Sequence, residues 1–258
     1  MELKTVIITQ ARTGSSRLPN KVLLKAGNKT FLQIHAERLK KVTNADEVII
    51  ATTINDEDIR IVQESEKLQT KCTRGSEQDV LARFYETAKN SGADIVVRVT
   101  SDCPFTDPAL ISEMISYFQT HNYDYVSNTF EYTYPDGIDV EVMSFAALKI
   151  AFNEASLLSD REHVTPFIRK NSNVLNGDLF KAYSYKNAVQ LLQNSRLTLD
   201  EVADLDVLTA LIEKLGTDKP WQHYHEYLVN NPTLSKLNNF ITTNEGYNRS
   251  LKQDETHN

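Results

Sequence analysis

The chain has 258 residues, with 28 basic and 35 acidic side chains and a net charge of −7. No basic face dominates that composition, which argues against nucleic acid as a bulk partner. Two cysteines, Cys72 and Cys103, give neither a disulfide framework nor a metal-ligand spacing, and no apolar run is long enough to span a bilayer.

The first apolar run, Val6 to Ile8, predicts a strand. It leads into Thr9 to Lys21, TQARTGSSRLPNK, which holds two arginines, a lysine, a glycine and two serines, and no acid. Small residues let a backbone approach a ligand closely, and successive N–H groups in such a turn can form an anion-binding concavity. Arg12, Arg17 and Lys21 add fixed positive charge. The combination suits a triphosphate; the plainer reading is a solvated basic loop. The stretch matches neither the G-x-x-x-x-G-K-[ST] nor the G-x-G-x-x-G pattern.

Helical periodicity follows at Phe31 to Val42, Asp56 to Leu68, Gln78 to Ser91 and Asp107 to His121. Short apolar runs fall between these segments, at Val48 to Ala51, Ile95 to Val99 and Tyr123 to Val126. The alternation predicts βαβ units and an α/β fold with a mainly parallel sheet flanked by helices. Ligands bind beyond the carboxyl ends of such strands. The basic loop, Thr52-Thr53, Thr100 to Pro104 and Ser127-Asn128 should therefore converge on one crevice.

From about residue 130 the pattern changes. In Glu131 to Val142, EYTYPDGIDVEV, a Pro-Asp-Gly turn precedes alternating acids and apolar residues. That period of two predicts a half-exposed strand, with Ile138, Val140 and Val142 inward and Asp139 and Glu141 outward. Helices are expected at Phe145 to Ala155, Arg161 to Lys170 and Glu201 to Leu215. Arg196 to Asp200 reads as a short strand, 171–178 as a loop, and Asn187 to Asn194 fits no one pattern. His223 and His225 share a face if extended, without a third ligand, and read as surface. The polar tail, 231–258, would order around Thr242 to Ser250 only against the main domain.

Asp102 and Asp200 each follow an extended run next to the basic loop. Magnesium prefers one or two carboxylates with phosphate oxygens and water, so both are candidate ligands. Asp107 and Asp200 also stand where a helix N-cap would. Ser76 with Asp79 reads as a capping box opening the helix after Gly75.

Several of these segments resemble one family. Gln10 to Lys21 is similar to the signature loop of sugar nucleotidyltransferases, and most closely of the cytidylyltransferases that include CMP-Kdo and CMP-sialic acid synthetases. Within these the chain resembles the branch named for spore coat polysaccharide biosynthesis protein F. The family pattern often has Gly where this chain has Asn20, a residue that tolerates left-handed backbone. Val97 to Pro104 and Leu197 to Asp200 resemble the segments that supply two metal-binding aspartates, Asp102 and Asp200 here. The family's second Asp usually precedes Thr-Pro-Glu-Asp-Leu; here Glu201-Val202-Ala203-Asp204-Leu205 follows. Arg74 to Leu81 resembles the segment near the nucleoside, Tyr134 to Val142 the stretch facing the sugar acceptor, and Asp160 to Pro166 a further pattern of the branch. The tail carries Asn244-Glu245-Gly246-Tyr247, also seen in that branch. The resemblance spans about residues 3 to 215.

The resemblance implies a Rossmann-like domain of the nucleotide-diphospho-sugar transferase type over residues 1–230. A strand-and-helix lobe at about 130–195 would hold the acceptor site and a homodimer contact. It implies a magnesium-dependent enzyme that moves CMP from CTP to a sugar or sugar acid for surface polysaccharide synthesis. The N-terminus, with Glu2 and Lys4 around a short apolar run and no signal-peptide pattern, leads one to expect a cytoplasmic protein. Arg12, Arg17 and Lys21 would be catalytic. Ala11, Gly14, Ser15, Ser16, Thr52, Gly75, Ser76, Asp79 and Arg98 would bind the nucleotide. Asp136, Asp139, Glu141, Arg161 and His163 would face the acceptor, with Arg161 and His163 equally placed for a dimer contact. The alternatives are a metal-dependent glycosyltransferase using a nucleotide sugar and a non-catalytic assembly protein. The first usually shows an Asp-x-Asp after a strand; here that spacing occurs at Asp56-x-Asp58 and Asp204-x-Asp206.

Overall fold

The computed structural model describes residues 3–189, 191, 195–243 and 245–256. Its strands are β1 (Thr5–Gln10), β2 (Lys25–Ala26), β3 (Lys29–Thr30), β4 (Glu47–Thr53), β5 (Lys71–Gly75), β6 (Ile95–Thr100), β7 (Tyr125–Ser127), β8 (Glu141–Ser144) and β9 (Ala182–Ser184). Its helices are α1 (Phe31–Leu39), α2 (Ile59–Lys67), α3 (Val80–Ser91), α4 (Pro108–Thr120), α5 (Phe145–Glu154), α6 (Leu158–His163), α7 (Pro166–Lys170), α8 (Val202–Leu215), α9 (Trp221–Asn230), α10 (Pro232–Ser235) and α11 (Glu245–Thr256).

Seven strands form one sheet in the order β5-β4-β1-β6-β8-β7-β9, while β2 and β3 make a small ribbon. β5, β4, β1 and β6 run parallel, and β8 is antiparallel to both β6 and β7. The mixed, mainly parallel α/β sheet expected from the sequence is present. Alternate residues of β1 feed opposite cores, as burial on both faces requires. Ile7 joins Val97 and Val99 under α1, α4, α8 and α9. Val6 and Ile8 join Val96 under α3 and α5.

Caps fix where the helices begin. Thr30 caps α1, Ser144 caps α5, and Asp107 caps α4 with Pro108 behind it. The α3 cap is shifted from the expected box: Asp79 is itself the N-cap, and its own N–H donates to Ser76 Oγ at 3.0 Å. The α8 cap is Glu201, boxed with Asp204, which leaves Asp200 free of capping duty.

Three expected elements differ. The half-exposed strand ending at Val142 is replaced by a loop and the short β8, and Glu141 is buried because it faces Arg98 across the sheet. The single helix from Arg161 to Lys170 is split into α6 and α7 at Val164, whose φ of 73° is unusual for a β-branched residue. Arg196 to Asp200 is an extended segment outside the main sheet, bridged to Asp136 at Arg196. Gly137 permits that approach: its φ is +99°, and a Cβ there would stand 2.6 Å from the Leu197 carbonyl carbon. His223 and His225 lie on α9 rather than on a strand. The unassigned stretch at Asn187 to Asn194 includes residues 190 and 192–194, outside the described residues, as is Asn244 of the tail motif.

Candidate active site

The carboxyl ends of β1 and β6 open into a cleft of about 790 Å³. β8, being antiparallel, brings Glu141 to the same end, opposite Arg98. The loop after β1 is pinned from below: Asp58 Oδ1 accepts from the Thr13 N–H and the Thr13 hydroxyl, both at 2.7 Å. The turn at Asn20 is left-handed, φ 58°, and its N–H donates to the Thr13 carbonyl at 3.0 Å. Asn in the place of Gly thus adopts the conformation that the pattern requires.

Lys21 is the centre of the cleft. Its Nζ stands 2.6 Å from Asp102 Oδ2 and 2.6 Å from Asp200 Oδ1. Burial opposes its charge, but the two carboxylates outweigh burial and its pKa is pushed up to about 12. Burial likewise opposes Asp102, yet Lys21, then Thr100, hold its carboxyl well below the usual range. Arg17 lies between three acids: Nη2 is 3.2 Å from Asp200, Nε 3.5 Å from Glu201 and Nη1 3.2 Å from Glu245. Arg12 is more exposed and stands 3.6 Å from Glu77.

The loop that presents Asp102 is clamped by α1. His35 Nδ1 lies 2.9 Å from the Cys103 carbonyl, and its Nε2 lies 2.9 Å from Thr9 Oγ1. Arg38 Nε donates to the Thr106 carbonyl at 2.9 Å. Burial lowers the His35 pKa to about 4, so the ring is neutral at pH 7.

The opposite wall carries more acids. Asp136 is buried and accepts from Arg196 Nη1 at 2.7 Å. Arg196 also donates to Asp204 through Nε at 2.9 Å and Nη2 at 3.1 Å, and lies 3.5 Å from Asp200. This guanidinium fixes the Asp200 segment against the Pro-Asp-Gly turn. Glu141 pairs with Arg98 and accepts from Tyr125 and, at 2.6 Å, from Thr165. Burial, then the neighbouring Asp136 and Glu141, push the Asp139 carboxyl up to about 8.

Of the residues singled out in the sequence, Ala11, Arg12, Gly14, Ser15, Ser16, Arg17, Lys21, Arg98, Asp102, Asp136, Asp139, Glu141, His163 and Asp200 all line this cleft. Thr52, Gly75, Ser76, Asp79 and Arg161 are not among its lining residues. Thr52 is fully buried. Arg161 Nε donates to both Asp79 oxygens at 3.1 Å, tying α6 to the start of α3. Of the acids of the expected solvent face, Glu141 is buried and partnered by Arg98, one strand away, whereas Asp139 lines the cleft beside Asp136 and Glu141. Glu245 and Tyr247, noted in the sequence only as part of a tail motif with no role, line the cleft, as do Arg83, Arg169, Arg196, Thr243 and Arg249. Of the latter five, Arg196 left a trace, with acids four and eight residues on at Asp200 and Asp204.

The residues present fit a divalent cation of hard character. Two carboxylate oxygens converge on one ammonium-sized point, and phosphate oxygens and water would complete the shell. Among the described residues no group of three or more His, Cys, Asp or Glu is placed to hold a metal alone. No helix is long and apolar enough to cross a membrane among those residues.

The sequence profile of the cytidylyltransferase family matches residues 6–234. The chain is 39% identical to an uncharacterized protein, MJ1063, of Methanocaldococcus jannaschii, over 93% of this chain and 96% of that one. It is 33% identical to the spore coat polysaccharide biosynthesis protein SpsF of Bacillus subtilis, over 82% and 87% of the two chains. A cytidylyltransferase structure from Leptospira borgpetersenii superposes with a TM-score of 0.84 at 30% identity, covering 91% of this chain and 97% of that one. The sheet, the converging Lys21, Asp102 and Asp200, and these matches agree: the chain belongs to the cytidylyltransferase family of nucleotidyltransferases.

Proposed function

We propose that the protein transfers CMP from CTP to a sugar or sugar acid, with magnesium and release of pyrophosphate, in surface polysaccharide synthesis. The observation that carries this reading is Lys21 standing 2.6 Å from both Asp102 and Asp200 beside the Arg12–Arg17 loop. The family supports cytidine as the base, and the likeness to SpsF supports the polysaccharide setting. A homodimer joined through the lobe at 130–195, and a cytoplasmic site of action, belong to the same proposal and are supported by the resemblance.

The chemistry needs positioning and charge neutralisation more than covalent help. A triphosphate entering the cleft offers Arg17 and Lys21 phosphate oxygens in exchange for their carboxylates. Arg12 adds a third cation at the loop. Magnesium on Asp102 and Asp200 would supply further neutralisation of the phosphate charge. The acceptor oxygen forms a bond to the α-phosphorus, the bond from that phosphorus to the bridging oxygen breaks, and pyrophosphate leaves toward the basic loop. An acceptor hydroxyl gives its proton to Asp139, whose pKa of about 8 puts both protonation states within reach at neutral pH.

Pyrophosphate release tests the proposal. Release that requires CTP, Mg²⁺ and an acceptor together supports it. Turnover of a finished nucleotide sugar, with none of CTP, would replace it with the glycosyltransferase reading.

A further inference from the structure

The family match ends at residue 234, yet the chain beyond it reaches into the cleft. Thr243 Oγ1 donates to Asp136 Oδ2 at 3.3 Å, and Glu245 pairs with Arg17 at 3.2 Å. Tyr247 and Arg249, on the first turns of α11, line the cleft. The segment is docked rather than loosely apposed. Ser250 donates to Glu162 Oε2 at 2.6 Å and lies 3.0 Å from His163 Nε2. Asp254 Oδ1 accepts from the Ser159 N–H at 3.1 Å, and both Ser250 and Asp254 are buried on an otherwise polar helix. Tyr247 meets the His163 ring edge-on at 5.2 Å.

This end of the cleft holds two guanidiniums in no direct ion pair among the described residues, although Glu141, already paired with Arg98, acts on Arg169 through space. Arg169 donates to the Thr129 hydroxyl at 2.8 Å and the Thr129 carbonyl at 3.0 Å, both neutral. Neither Arg169 nor Arg249 has a carboxylate within ion-pair distance among the described residues. Tyr247 acts electrostatically on Arg169 and shares the cleft lining with it and Arg249. An aromatic ring and guanidiniums in one lining suit a polyhydroxylated ring bearing an acidic group.

We propose that Tyr247 and Arg249 determine which acceptor the cleft takes, forming with Arg169 a subsite for the acidic group of a sugar. The inference rests on the nucleotidyl-transfer reading, and its test separates the two. Y247A, R249A and R249K are made in the full-length chain. Pyrophosphate release is followed with CTP and three probes: 3-deoxy-manno-octulosonate, N-acetylneuraminate and glucose 1-phosphate. CTP affinity is measured by calorimetry. Wild type is expected to accept at least one probe. R249A should raise its KM by about tenfold or more, the scale of one charge-assisted hydrogen bond. R249K should recover part of that loss, Y247A should raise KM as well, and CTP affinity should stay near wild type in all three. An unchanged KM in R249A and Y247A overturns the inference. So does a wild type that binds CTP and accepts none of the probes. A wild type that does not bind CTP overturns the nucleotidyl-transfer reading together with it.

Discussion

The two sides of the cleft are built in different ways. The phosphate side comes from the ends of neighbouring strands: the loop after β1 carries Arg12, Arg17 and Lys21, and the turn after β6 carries Asp102. The acceptor side is assembled from distant pieces. Arg98 meets Glu141, Arg196 joins Asp136 to Asp204, and the tail returns to Arg17 through Glu245. On the first side charge is displayed toward a ligand. On the second, charge also holds the wall together, so substitutions should separate catalytic from structural losses.

The largest effect is expected on the phosphate side. D102N should lower turnover by about a thousandfold, the scale of one lost electrostatic stabiliser in a closed site. Its far-ultraviolet circular dichroism should stay near wild type, because Asp102 lies in the cleft rather than in either core, while the thermal midpoint should fall modestly with the loss of the Lys21 pair. An active, folded D102N would break the assignment of this carboxylate.

R196M should show the opposite pattern. It removes a buried guanidinium and leaves Asp136 and Asp204 buried without their partner, a loss of about 3–5 kcal/mol. Denaturant unfolding should record it as a stability defect first. A stable but inactive R196M would place Arg196 with the catalytic groups instead.

R17A is expected to weaken CTP binding by about tenfold or more in calorimetry, since one charged contact to phosphate is lost. The loss is moderated because Arg17 also leaves three carboxylates that compete for it.

The last effect is a pH dependence on the acceptor side. The Asp139 pKa lies above its ordinary value of 3.8. Ionising it in the folded protein therefore carries a cost that the unfolded chain does not have. That cost is absent below about pH 4, grows as pH rises toward about 8, and is constant above. D139N should match the wild-type thermal midpoint at pH 4 and exceed it by about ten degrees at pH 8. In pyrophosphate release, the rise of kcat/KM with pH should flatten in the same variant.

The sequence showed one of these sides far better than the other, for a physical reason. Parallel strands buried on both faces leave continuous apolar runs, and the polar residues after them fall at the ligand-binding edge. Lys21 and Asp102 could therefore be picked without coordinates, and Asp200 by its place after the extended Arg196 to Leu199 run, although a resemblance was needed to order them into one site. Asn20 was legible too, because its left-handed turn calls for Gly or Asn. The period-two pattern at Asp139 and Glu141 misled, because alternation cannot tell a solvent face from one lined by a neighbouring strand's arginine. Arg161 sat inside a family pattern, yet its guanidinium is engaged by Asp79, 82 residues away in the chain. Thr52 follows the apolar run Val48 to Ala51, but it lies within β4 and its side chain is buried in the sheet. Tyr247 and Arg249 lie in a polar tail whose periodicity says nothing about what it docks against.

The most direct test of the account is the thermal midpoint of the wild-type chain with each of the four ribonucleoside triphosphates, with and without Mg²⁺. A ligand at about a hundred times its dissociation constant adds about 2.7 kcal/mol to the folded state. The account predicts a Mg²⁺-dependent upward shift with CTP that exceeds the others and is lost in the K21A variant. No shift with CTP, or an equal shift in K21A, would contradict it.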